Sequence, residues 1–119
     1  MADIAALEGI LKEVQSISGV SDAVLVSRSG MHIAGAVPQG AHSETFVAMF
    51  AILLGAAETA TSELKERLDN VIIELEASKI LIINNGPKAI FVLRAARTAD
   101  VERVRAEVMK FSKRVEEHL

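Results

Sequence analysis

The chain has 119 residues, about one domain's length, and at that size it can bury roughly two-thirds of the surface its unfolded form exposes, enough for a single core. Half of its residues are apolar, yet the only aromatics are four Phe, so the core must be built from aliphatic side chains and there is no stacking platform for single-stranded nucleic acid. The absence of Cys excludes disulfides, thiol nucleophiles and Cys-ligated metals, and a net charge of −3 argues against a general nucleic-acid binder.

Ile4, Leu7, Leu11, Val14 and Ile17 follow helical spacing, and Gly19 supplies a stop. Met1–Ile10 has acidic residues and no Lys or Arg before an apolar run, so the N-terminus does not read as a signal peptide. A β-branched run over Ala23–Arg28 predicts a strand, Ser29-Gly30 a tight turn, and Met31–Val37 a returning strand. Pro38, Gly40 and Ser43 mark a loop and a helix start, and a long helix is expected over Glu44–Leu68. Three short strands follow. Val71–Glu76 alternates, whereas Ile80–Ile83 and Ala89–Leu93 are apolar on both faces, with the turn Asn85-Gly86 between them. Val101, Val104, Val108, Phe111 and Val115 predict one last helix over Thr98–Val115. Strands apolar on both faces must be covered on both faces. Hairpin-length connections make the last three strands antiparallel neighbours, and the expected fold is therefore an α+β sandwich: one sheet of about five strands with helices on both faces, in the order α-β-β-α-β-β-β-α, as one domain over residues 1–119.

The middle helix is the informative element. Phe46–Ala57 is apolar all round, whereas a surface helix needs only an apolar stripe about 100° wide. One face can cover the sheet, and the other would leave a patch that monomers rarely expose. A second copy of the same helix across a two-fold axis is the economical cover. The interface expected on this ground comprises Phe46, Met49, Phe50, Leu53, Leu54 and Ala57 on the helix. Val71 and Ile73 on the following strand join it as a sheet edge that needs protection. The uncharged run is shorter than the ~20 residues of a membrane helix, so no membrane insertion is expected and the chain reads as cytoplasmic.

Candidate chemistry is sparse. Gly35-Ala-Val-Pro-Gln-Gly40 has the position of a phosphate loop, but Ala41 and His42 stand where the loop needs Lys and Ser or Thr. His32, His42 and His118 lack partners at metal-ligand spacing. Ser27, Ser29 and Ser43 lack the context of a nucleophile elbow, and Glu74 and Glu76 are explained by strand alternation. No catalytic residue, metal or cofactor is expected. Residues 94–114 carry seven basic and three acidic side chains, a solvated helix face or a surface for an acidic partner.

In element order, and in Gly19–Ala34, Phe46–Ala60 and Ile80–Gly86, the chain resembles the Roadblock family, the dynein light-chain relatives that include MglB-like small-GTPase regulators. The resemblance implies a five-stranded antiparallel sheet with one helix on one side and two on the other, and a dimer built through the middle helix and the adjoining edge strand. It also implies a non-catalytic regulator or scaffold for a Ras-like GTPase; MglB-like members stimulate hydrolysis by that partner. A structural adaptor of a motor or motility complex, with no GTPase, is the alternative. A partner would meet Glu58, Ser62, Lys65 and Glu66, helically spaced polar positions beyond the apolar run.

Overall fold

A computed structural model describes residues 2–119. In chain order the elements are α1 (Ile4–Gln15), β1 (Val20–Ser27), β2 (His32–Gly35), α2 (Ser43–Ser62), β3 (Asn70–Glu74), β4 (Ser78–Asn85), β5 (Ala89–Ala96), α3 (Val101–Met109) and α4 (Ser112–His118). The strands form one sheet in the order β2-β1-β5-β4-β3, with every neighbouring pair antiparallel. The expected order of elements holds, with the last helix in two pieces.

Alternation along the central strands fills both faces. Leu25, Leu81, Ile83, Phe91 and Leu93 point to one side and pack against α1, α3 and α4. Those helices contribute Leu7, Leu11 and Val14, then Val104, Val108 and Val115. Val24, Val26, Ile80, Ile82, Ile90 and Val92 point to the other side, where Val47 and Leu54 of α2 meet them. The coverage is unequal. A five-stranded sheet is about 19 Å across at ~4.8 Å per strand, and one helix with its side chains is only about 10 Å wide. α2 therefore cannot reach both edges, and Val71 and Ile73 on β3 stay half-buried.

Two elements differ from expectation. α2 stops at Ser62 instead of running to Leu68. Its last turn has no basic residue, Glu63 sits at the C-cap, and negative charge there opposes the helix dipole. Lys65 then turns to φ 58, which ends the helix. The terminal helix breaks between Met109 and Ser112 without Pro or Gly. The N–H groups of Lys110 and Phe111 bond back three residues, to Glu107 O (3.3 Å) and Val108 O (2.9 Å), and this tighter turn redirects the axis. Val115 is thereby brought onto the sheet as fully as Val104 and Val108.

The hairpin between β1 and β2 depends on two glycines. Gly30 has φ 92, and a Cβ there would lie 3.2 Å from Ala48 Cα of α2, so the turn also lets α2 come close. Gly35 has φ 81, and a Cβ there would sit 2.4 Å from Ala23 O across the ladder.

Candidate functional site

α2 begins with His42 as N-cap, whose Nδ1 accepts from Thr45 N at 3.4 Å, and carries Glu44 in its first turn, where a carboxylate suits the helix dipole. Val47 and Leu54, seven residues apart and so on one face, turn into the sheet at 2% and 1% exposure. Phe46 and Phe50 flank them, half-buried, with ring centroids 4.7 Å apart and planes tilted by 58°. The opposite face carries Met49 (55% exposed), Ile52 (62%) and Leu53 (36%), continued by exposed Ala56 and Ala60. This is a continuous apolar stripe at helical spacing. Gly55 flanks it on α2, and an added Cβ there would meet nothing within 4 Å, so the surface is open on that side.

Of the eight interface positions expected from sequence, Met49 and Leu53 stand fully on this outer stripe. Phe46, Phe50 and Ala57 on α2, and Val71 and Ile73 on β3, are half-buried. Leu54 is corrected: it is a core residue against the sheet and cannot belong to an outer surface. Ile52, the most exposed apolar side chain on α2, was missed. A run that is apolar all round carries no phase, so its periodicity could not say which side meets the sheet. By length and hydropathy α2 also meets the criterion for a membrane span, and only 17% of its most apolar window is buried. That differs from the reading of the uncharged run as too short. Here α2 lies docked on the sheet, with Glu44 and Glu58 towards its ends.

The second half of the surface is the edge of the sheet. β3 is an outer strand, as expected, paired with β4 from Asn70↔Ile83 to Glu74↔Lys79. Among the described residues no side chain bonds to its outward main chain. The opposite edge, β2, is different. Gly35 N donates to Glu8 Oε1 at 2.9 Å, and His32 Nε2 lies 2.6 Å from Gly35 O. Both main-chain groups of that residue are thus already engaged, which with the shortness of β2 leaves this edge less to offer an added strand.

The four positions expected to meet a partner do not form one helical face. Glu58 and Ser62 lie on α2, but Lys65 and Glu66 fall in the turn beyond it. Glu58 pairs with Arg28 Nη2, and Arg28 Nη1 donates to Asn84 Oδ1 at 2.9 Å, so Glu58 ties α2 to β4 and the end of β1. Ser62 Oγ donates to Thr59 O at 2.7 Å within the helix.

The titratable residues are dispersed. His32 is held at the β2 edge, His42 caps α2, and His118 Nδ1 lies 3.9 Å from Asp3 Oδ2. Among the described residues no three His, Asp or Glu side chains come together as metal ligands. At the end of β2 the amide of Gly35 is taken by the Glu8 carboxylate of α1, where a phosphate loop would present bare amides. Ser27 and Ser29 hydrogen-bond one another at 2.9 Å within the β1–β2 turn.

The fold has counterparts in known proteins. An uncharacterized protein of Methanocaldococcus jannaschii is 30% identical over 92 residues, covering 76% of this chain and 78% of the relative. The structure of Myxococcus xanthus MglB superposes with a TM-score of 0.86 at 14% identity, over 97% of this chain and 88% of that one. A structure of MglB in a tetrameric arrangement gives 0.82 at 22% identity, over 97% and 90%. The model of the Roadblock/LC7 domain matches residues 6–95, from α1 through nearly all of β5. With its sheet, its outer helix and its open β3 edge as described, the chain belongs to the Roadblock/LC7 domain family.

Proposed function

We propose that the chain pairs with a second copy through the outer face of α2 and the edge of β3, and that the pair is a non-catalytic regulator or scaffold for a Ras-like small GTPase. The carrying observation is the exposed apolar stripe Met49–Ile52–Leu53 on α2, joined by the unprotected edge of β3. Each such side chain is worth about 1.5–3 kcal/mol when fully buried, less the part α2 already covers. Two copies related by a two-fold axis cover the stripe and continue the sheet with one set of contacts. The MglB structure in a tetrameric arrangement supports self-association as a property of this fold. The GTPase part of the reading rests on membership of the family.

Sedimentation of the wild type and of Leu53→Glu tests the pairing. The wild type sediments as a dimer, and the variant, with a charge in an apolar contact, dissociates at least about 100-fold more readily. A wild-type monomer, or recovery on vesicles in place of pairing, defeats the proposal. Capture from native extract with a non-hydrolysable GTP analogue and with GDP tests the partner. A small GTPase enriched in the GTP arm is the expected result. Motor or motility proteins recovered equally in both arms would replace it with the adaptor alternative.

A further inference from the structure

β4 outruns its neighbour at one end. Its last pairing with β3 is Asn70↔Ile83, but it continues against β5 to Asn85↔Ala89. Main-chain groups alternate between the two sides of a strand, so one of Asn84 and Asn85 turns its N–H and C=O away from β5. Those groups face the place a longer β3 would occupy, and among the described residues no other main-chain group bonds to them. A cavity of about 220 Å³ occupies this gap. Ile83 and Asn84 line it from β4, Arg67 and Asp69 from the turn before β3, and Arg105 and Met109 from α3.

The arginines make the gap distinctive. Five of the seven are tethered: Arg28 to Glu58, Arg94 to Asp22, Arg97 to Leu75 O, Arg103 to Ser18 O and Arg114 to Glu13. Arg67 and Arg105 have no ion pair or side-chain hydrogen bond among the described residues, and both line this cavity. With Asp69 the wall carries a net charge of +1, from two Arg against one Asp. A guanidinium binds a carboxylate through paired N–H donors, and an uncovered strand edge takes an extended chain. Met109, 37% exposed, adds an apolar contact.

We propose that this notch binds an acidic, extended segment of a partner protein, its main chain against Asn84–Gly86 and one carboxylate between Arg67 and Arg105. The notch lies apart from the α2 stripe, and the proposal does not depend on pairing.

The test uses the full chain and a labelled ten-residue peptide of alternating Glu and Thr, beside a Lys–Thr peptide and inorganic phosphate. The acidic peptide is expected to shift the amide resonances of Asn84, Asn85 and Gly86 and to raise its own anisotropy. Arg67→Gln and Arg105→Gln each weaken binding about tenfold. Asp69→Asn strengthens it severalfold, an effect of opposite sign that damage to the fold would not produce. Repetition in the Leu53→Glu variant separates the notch from the proposed dimer surface, and binding persists there. Absence of any shift, equal binding of the Lys–Thr peptide, or the same shifts with phosphate and none further with peptide would each overturn the proposal.

Discussion

Ile52 and Leu54 are two residues apart on one helix and have opposite roles. Leu54 is in the core at 1% exposure, and Ile52 is in the open at 62%. Truncating Leu54 to Ala leaves a cavity against Ile80 and Ile82, and thermal or urea unfolding should show a loss of about 2–5 kcal/mol. Ile52→Glu touches no core contact, so unfolding of the single chain should change by less than about 0.5 kcal/mol while the proposed pairing is lost. If both variants unfold alike and sediment alike, the division of α2 into an inner and an outer face is wrong. Gly35→Ala is a third case. Its Cβ would stand 2.4 Å from a main-chain oxygen at a φ of 81, and the loss should exceed about 2 kcal/mol in urea unfolding.

At the scale of the element, the ends of α2 matter as much as its faces. The helix stops where its apolar run has given way to Glu63, Lys65 and Glu66, and Lys65 is the only non-Gly residue with positive φ among those described. The left-handed conformation costs a side-chain-bearing residue about 1–2 kcal/mol, and Gly avoids that cost while losing more chain entropy. Lys65→Gly should therefore raise the free energy of urea unfolding slightly, by up to about 1 kcal/mol. A fall of that size would mean that Lys65 makes a contact its backbone conformation does not reveal. The break between α3 and α4 follows a related logic. One tightened turn, from Glu107 to Phe111, lets a helix of ordinary periodicity keep Val104, Val108 and Val115 on the same core.

At the scale of the whole molecule, the two edges of the sheet are not equivalent. β2 is short and has the main chain of Gly35 occupied by Glu8 and His32, whereas β3 is open. A chain with two open edges could add copies without limit, and a chain with one can form only a closed pair. Hydrogen exchange reads this directly. Outward amides of β3 should exchange slowly in the wild type and quickly in Ile52→Glu. The β2 amides should exchange at the same rate in both. Fast exchange throughout β3 in the wild type would leave the edge unpaired and confine any association to the helices.

The sequence by itself determined the order of elements, the antiparallel sheet covered on both faces and the exposed edge of the β3 segment. Each rests on local chemistry: alternation in the strands, turn residues at Ser29-Gly30 and Asn85-Gly86, and periodic Val and Leu in the first and last helices. It also showed that α2 carries more apolar surface than one face can use. Only the tertiary structure decided which side that surface takes, because an all-round apolar helix has no phase until Val47 and Leu54 meet the sheet. It alone separated Lys65 and Glu66 from the helical face of Glu58. It also brought Arg67 and Arg105, 38 positions apart in sequence (105 − 67), to one gap beside β4. Contacts of that kind depend on how strands end relative to one another, and strand ends are set by packing across the sheet, which no local pattern records.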